Sequence, residues 1–232
     1  SLAYKLMLFP VQSLTFVANR ALAPILSDRA TLPELSSQTY LKSIASISLL
    51  SFPIAAGLWF LRTEFIQVTY GSHWGEASSI LFWLAPVSAI QSILATTGTV
   101  LIAKQRTTSL LKLGFFSTCA LCVFFWIGAI RGGAVGVAEF YFYSQAIFFI
   151  PYMASTLRAL NIRRAQLFHA LLPALTCTSF MLAALILIKT IITSAQPSVK
   201  SLSSFVSSGA ISYIIILRMM FPTHFYGILN FF

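Results

Sequence analysis

Long apolar runs constrain this chain more than any other feature. Their cores lie at about 4–26, 44–61, 78–103, 109–130, 133–157, 166–188 and 203–221. A helix needs about 20 apolar residues to cross a hydrocarbon core of roughly 30 Å, and several runs reach that length. The runs are too continuous for lipid-facing strands, which alternate with a period of two. The sequence therefore predicts an all-α integral membrane protein with about seven transmembrane helices.

The composition agrees with this class. Of the 232 residues, 58% are hydrophobic and only 9% are charged, whereas charged residues make up about 25% of a soluble domain. The net charge is +10, but the basic residues are scattered at the ends of the runs and form no single patch. Nucleic acid is therefore not an expected partner. The basic residues are expected to set the topology and to attract anionic lipid headgroups.

Lys and Arg divide unequally between the two sets of connections, with ten on one side and five on the other. Cytoplasmic connections carry the excess. This pattern places the connections near 27–43, 104–108 and 158–165, with the carboxyl end, in the cytoplasm, and the amino end outside. The first run is too long and too polar for a cleaved signal, which favours the carboxyl-terminal part of a longer protein. The alternative is a complete seven-helix protein that has lost its initiator Met.

Residues that could support catalysis are few. The chain has five acidic residues, Asp28, Glu34, Glu64, Glu76 and Glu139. No two of them are placed to act together as a general acid and a general base. Cys119 and Cys122 form a C-x-x-C inside an apolar run without further ligands, and they are predicted, like Cys177, to be packing residues. No zinc pattern, phosphate loop, dinucleotide fingerprint or nucleophile elbow occurs. We expect no enzymatic activity, no cofactor and no metal.

The first run carries a polar stripe. At about 100° per residue, Lys5, Gln12, Thr15 and Asn19 share one face of a helix. An ammonium at membrane depth costs at least about 2.5–3.5 kcal/mol, so this face should turn away from lipid. It is predicted to line a wet cavity that binds a polar or anionic substrate. Alternatively, the two amides bond to neighbouring helices and the amine extends to the outer interface.

Two other polar features lie inside the runs. Glu139 is the only acid in an apolar core. It is either a coupling acid or a residue near the interface that water solvates. Gln91, with Ser88, Ser92 and Thr99, marks a second polar face, although small residues there serve close helix packing equally well.

Prolines occur inside several of the runs. They are Pro10, Pro53, Pro86, Pro151 and Pro173. A proline inside a helix frees the carbonyl four residues before it, and neighbouring side chains or water can satisfy that carbonyl within a bundle. We expect kinked helices, which are common in transporters and equally in ordinary membrane-protein packing.

Several short motifs follow one another in an order found in one transporter family. They are Pro10-Val11-Gln12, Pro24 with Leu26-Ser27, Pro53 with Gly57, the G-x-x-W-x-x-A pattern of YGSHWGEA, and GGAVGVAEFYF before Pro151. By the order of these motifs, the chain resembles the polysaccharide exporters, or lipid-linked oligosaccharide flippases, of the multidrug/oligosaccharidyl-lipid/polysaccharide superfamily. The resemblance covers about residues 1–160.

The resemblance implies a carboxyl-terminal transporter bundle at 1–160, whose first helix looks like the eighth of up to fourteen, and two additional helices at 161–232. It implies alternating access in a bacterial cytoplasmic membrane for a glycan linked to undecaprenyl diphosphate. Lys5 would offset the diphosphate charge, and Gln12 and Asn19 would bond to sugar hydroxyls.

The resemblance also implies several partners. These are the lipid-linked glycan, membrane lipids, and a missing amino-terminal bundle or a second chain. Two other functions stay open. One is a multidrug or cation antiporter, for which Glu139 is the candidate coupling acid. The other is an inactive remnant or scaffold.

Overall fold

The computed structural model describes residues 33–191 and 199–220. Every regular element in this part of the chain is helical: α1 Pro33–Phe60, α2 Arg62–Tyr70, a 3₁₀ turn Ser72–Trp74, α3 Gly75–Ala103, then helical segments Thr107–Leu160, Arg164–Ile191 and Val199–Met220. Five of these described helices are long and apolar enough to cross a membrane. The predicted all-α membrane fold is therefore confirmed.

The 54-residue segment Thr107–Leu160 is a hairpin of two antiparallel helices. Gly132 (φ −150°, ψ 22°) and Gly133 (φ 55°, ψ −132°) leave the helical region and separate α4 (107–131) from α5 (134–160). The hydroxyl oxygens of Ser117 and Tyr152 lie 3.1 Å apart. In a straight helix, 35 residues would separate them by about 52 Å. The two glycines therefore reverse the chain, and the described part holds six helices of membrane-crossing length.

The last two helices are α6 (Arg164–Ile191) and α7 (Val199–Met220). The bounds of α3 to α7 lie within four residues of the apolar runs. The helix α1 instead begins well before residue 44, because a helix can continue through polar residues that end an apolar run. The helix α2 has no counterpart among the runs, since most of its residues are polar. The run at 4–26 lies outside the described residues, and the division at residue 160 stays a prediction.

Two of the clusters of buried apolar side chains each join three or more helices. In one, α1, α3, α5 and α6 meet around Tyr40 and Leu157. In the other, α1, α6 and α7 meet around Leu49, Cys177 and Phe205. Helix α1 contributes to both clusters, so it joins α6 and α7 to the rest of the bundle.

A side chain on α7 completes the backbone hydrogen bonding of α1. Pro53 lies inside α1 and lacks an N–H, which removes the helical donor of the Leu49 carbonyl. The hydroxyl of Tyr213 donates a 2.7 Å hydrogen bond to this carbonyl, and Tyr213 is only 8% exposed. A neighbouring helix therefore satisfies the freed carbonyl, as expected within a bundle.

We expect Tyr213→Phe to lower the free energy of unfolding by about 1–3 kcal/mol, because it leaves a buried carbonyl without a donor. In a Pro53→Ala background the new N–H at residue 53 bonds to the Leu49 carbonyl, so the same change should cost less. A double-mutant cycle of unfolding in detergent micelles measures this coupling. Equal costs in both backgrounds would mean that the hydroxyl does not act through this carbonyl.

The described helices place their basic residues unequally at the two ends of the bundle. One end carries Arg62, Arg131, Lys189 and Lys200, and an ion pair of 2.6 Å there joins Lys189 Nζ to Glu64 Oε1. The other end, here called the basic end, contains residues 103, 107, 160 and 164. Its described basic residues are Lys42, Lys104, Arg106, Lys112, Arg158, Arg163, Arg164 and Arg218. The assignment of this end to the cytoplasm stays a prediction.

Candidate functional site

A polar cavity of about 500 Å³ lies between α3, α4 and α5. Its volume falls in the range of about 300–1,000 Å³ that is typical of small-molecule sites. The polar residues that line it are Gln91 and Thr97 of α3, Ser117 and Thr118 of α4, and Ser144, Gln145 and Tyr152 of α5. Apolar residues of the same three helices form the rest of its wall.

Helical spacing explains how each helix contributes to this cavity. On α5 the lining residues are the adjacent pair Ser144 and Gln145, then Phe148 and Tyr152. Phe148 follows this pair by three to four residues and Tyr152 follows Phe148 by four, so they share one face. The reversal after residue 131 places this face beside the corresponding face of α4. Helix α3 closes the third side.

The cavity begins near the basic end of the bundle. At a rise of about 1.5 Å per residue, Leu110 lies about 5 Å from the basic end of α4, and Ser144 lies about 24 Å from the basic end of α5. A crossing measures roughly 30 Å. The cavity therefore extends from near the basic end past the middle of the bundle.

The lining residues in the described part of the chain are all uncharged. The Gln91 side-chain amide donates a hydrogen bond to the Tyr141 hydroxyl. The Ser117 hydroxyl is bonded to that of Tyr152 at 3.1 Å. Thr97 is 1% exposed, and its Oγ1 has no hydrogen-bond partner among the described residues. The cavity thus offers a ligand hydroxyl and amide groups, and its lining carries no fixed charge.

A second cavity of about 410 Å³ lies between α1, α2, α6 and α7 and has an apolar lining apart from Tyr213. The hydroxyl of Tyr213 is already bonded to the Leu49 carbonyl. Within residues 33–191 and 199–220, no group of three His, Cys, Asp or Glu residues could hold a metal ion. The cavity between α3, α4 and α5 is therefore the stronger candidate for a polar ligand.

The residues proposed from the sequence for substrate binding, Lys5, Gln12, Thr15 and Asn19, lie outside the described residues. Their role stays a prediction. Glu139 lies on α5, where its Oε1 accepts a 3.1 Å hydrogen bond from the Tyr143 hydroxyl. It is not among the residues that line the polar cavity.

The second polar face separates into two parts. Gln91 lines the cavity. Ser88 and Ser92 are buried, and their hydroxyls donate to the carbonyls of Ala85 at 2.6 Å and Ser88 at 2.7 Å. These two serines therefore serve the close packing of α3 rather than the cavity.

The polar residues that α4 and α5 contribute were not predicted from the sequence; they are Ser117, Thr118, Ser144, Gln145 and Tyr152. Small uncharged side chains do not stand out within runs as apolar and aromatic as these. Their signal is recurrence at helical spacing on two consecutive runs. The glycine pair between those runs indicates that the two polar faces are brought together.

Comparison with known proteins finds relatives in polysaccharide synthesis. A family described as "Polysaccharide biosynthesis protein" matches residues 1–79. Lipopolysaccharide biosynthesis protein WzxC of Escherichia coli (strain K12) is 26% identical over 137 residues, covering 59% of this chain and 28% of WzxC. Teichuronic acid biosynthesis protein TuaB of Bacillus subtilis (strain 168) is 29% identical over 106 residues, covering 46% of this chain and 22% of TuaB.

A third relative is an uncharacterized membrane protein in the cps region of Klebsiella pneumoniae, 23% identical over 147 residues, covering 63% of this chain and 30% of that protein. The matched part of this chain spans less than one third of the length of each of these three relatives. No solved structure matches the sequence significantly.

Proposed function

We propose that this chain, which is similar to polysaccharide biosynthesis proteins, belongs to the polysaccharide exporter and flippase family and forms part of a flippase for a lipid-linked oligosaccharide. The flippase acts by alternating access in the bacterial cytoplasmic membrane. The observation that carries the proposal is the polar, uncharged cavity of about 500 Å³ among membrane-crossing helices. A glycan crossing a membrane needs such a place, because each hydroxyl without a hydrogen bond in an apolar medium costs several kcal/mol.

The diphosphate of the lipid carrier needs positive charge, which the lining of this cavity does not supply. We assign that role to Lys5, and we assign hydrogen bonds to sugar hydroxyls to Gln12 and Asn19, which are predicted to share a helical face with Lys5 and Thr15. A charge-assisted hydrogen bond to phosphate is roughly twice as strong as a neutral one.

The orientation follows from the basic residues. The end with eight described basic residues is proposed to face the cytoplasm. The polar cavity begins near that end, so it would receive the glycan from the cytoplasm, where the substrate is proposed to be made. An amino-terminal bundle, or a second chain, is proposed to complete the transporter, and membrane lipids surround it.

The antiporter alternative is less well supported. Coupling to a cation in this bundle would use Glu139, which bonds to Tyr143 and does not line the polar cavity. The uncharged lining of the cavity favours a neutral solute over an exchanged cation. Among the described residues, the same lining holds no His, Asp, Glu, Lys or Cys for general acid or base catalysis, which favours transport over catalysis.

The site assignment is tested by Lys5→Ala combined with Gln12→Ala in the intact transporter. We expect glycan export to fall about tenfold or more, because a hydrogen bond to a charged group contributes about 1.5–3 kcal/mol. Surface glycan measured on gels, together with the lipid-linked glycan retained in the cell, reports export. Lys200→Ala combined with Gln67→Ala, at two exposed positions, is the matched control.

Unchanged export in the Lys5 and Gln12 variant, at normal protein levels, would remove these residues from the site. In a strain without the transporter, lipid-linked glycan should accumulate inside the cell. If it does not accumulate, the protein acts in synthesis of the glycan and the flippase proposal is wrong.

A further inference from the structure

We propose that the cavity between α3, α4 and α5 binds an uncharged sugar ring of the glycan and excludes its acidic or phosphorylated groups. The inference rests on the proposed function, and it names the part of the substrate that this cavity accepts. It depends on the chemistry of the lining and on one buried hydroxyl.

The chemistry of the lining matches that of a sugar. Each Ser, Thr or Tyr hydroxyl donates one hydrogen bond and accepts others, and a Gln amide does both through separate atoms. Sugar hydroxyls have the same double capacity. Leu94, Leu121 and Phe148 add apolar surface to the wall, against which the C–H faces of a ring can pack.

The same lining disfavours charged ligands. It contains no Lys, Arg or His that would pair with a carboxylate or a phosphate, and no Asp or Glu that would pair with a cation, among the residues that the structure describes. Burying an ionised group without a partner costs far more than burying a hydroxyl. A neutral ring with several hydroxyls is therefore the ligand class that fits.

Thr97 indicates where the ligand is held. Its side chain is 1% exposed and lines the cavity, and Oγ1 has no partner within the described chain. Buried polar groups in folded proteins are almost always hydrogen-bonded. By contrast, Ser117 and Tyr152 are already bonded to each other at 3.1 Å. A sugar hydroxyl at Thr97 Oγ1 would supply the missing hydrogen bond.

Saturation-transfer NMR tests this assignment on the intact transporter in lipid nanodiscs. The probes are a panel of neutral methyl glycosides, methyl glucuronide as an acidic analogue and glucose 1-phosphate as a phosphorylated one. We expect at least one neutral glycoside to bind saturably, with the two charged probes at least about tenfold weaker. Thr97→Val should weaken neutral binding by about fivefold or more, which corresponds to about 1 kcal/mol for one hydrogen bond.

Thr176→Val is the matched control, because Thr176 lies on α6 and its Oγ1 already donates to the Leu172 carbonyl at 3.0 Å. It should leave sugar binding unchanged. The inference is overturned if no neutral glycoside binds, if a charged probe binds equally well, or if Thr97→Val binds like the unmodified protein.

Failure here is distinguishable from failure of the proposed function. If export depends on the transporter and neutral glycosides do not bind, only the cavity assignment is wrong. If the glycosides bind through Thr97 and lipid-linked glycan does not accumulate without the transporter, the flippase proposal is wrong and the sugar site stands.

Discussion

Gly98→Leu is expected to stop most glycan export while the protein remains folded. Gly98 lines the polar cavity, and a Cβ built at this position meets no atom within 4 Å. A leucine side chain therefore extends into open space without displacing backbone. It occupies volume that a sugar ring would need and presents apolar atoms to sugar hydroxyls. We expect export to fall about tenfold to a hundredfold, equivalent to about 1.4–2.8 kcal/mol of lost binding.

Surface glycan in cells that carry the intact transporter measures the effect, and thermal unfolding of the purified variant measures folding. Gly57→Leu is the matched control, since a Cβ at Gly57 also meets open space, on the side of the apolar cavity. It should retain export. Normal export in Gly98→Leu, or an equal loss in the two variants, would separate export from the polar cavity.

Gly136→Val is expected to prevent the hairpin of α4 and α5 from closing. A Cβ at Gly136 would overlap the backbone carbonyl oxygen of Gly128, and a Cβ at Gly128 would lie 2.6 Å from the Gly136 oxygen. Both clashes involve backbone, which cannot rotate aside as a side chain can. The two helices must separate, which disrupts two walls of the cavity at once. We expect destabilisation of about 3 kcal/mol, at the upper end of the usual cost of overpacking.

The yield of monodisperse protein and its resistance to denaturant measure this loss. Gly114→Val is the control, because Gly114 lies on α4, the other helix of the hairpin, and a Cβ there meets nothing within 4 Å. It introduces the same β-branched side chain without a clash. If the two variants unfold alike, the close approach of Gly128 and Gly136 does not hold the hairpin together.

The positions of most helices could be predicted because the requirement for crossing a membrane is local. About 20 apolar residues must follow one another, and a run that meets this requirement shows itself in the sequence alone. The break between the runs at 109–130 and 133–157 likewise predicted two helices. Gly132 falls in that break and Gly133 begins the second run; Gly133 adopts a positive φ of 55° that glycine accepts at little cost.

Long-range partners could not be predicted. Pro53 predicts a carbonyl without a helical donor, but nothing in the sequence indicates that Tyr213 supplies the hydrogen bond. The short helix α2 was also missed, because its 9 residues are too few and too polar for a crossing. Its Glu64 pairs with Lys189 of α6, and that pairing depends on how the helices assemble.

The candidate site was predicted only in part for a similar reason. A charged or amide side chain inside an apolar run is conspicuous in the sequence, so Lys5 and Gln12 could be proposed as site residues. The described cavity uses neutral hydroxyls, which in a single helix look the same whether they bond to their own backbone or face a ligand. Ser92 bonds to the carbonyl of Ser88, whereas Thr97 has no described partner. Only the assembled bundle distinguishes the two cases.

The hydrogen bond between Tyr213 and the Leu49 carbonyl joins positions 164 residues apart, which has a consequence for biogenesis. Chains emerge from the ribosome amino end first, so α1 enters the bilayer long before its donor on α7 has been translated. During that interval the Leu49 carbonyl lacks the Tyr213 donor, and ordered water can satisfy it. Maturation of α1 is thus finished by α7, the last helix to be synthesised among those described.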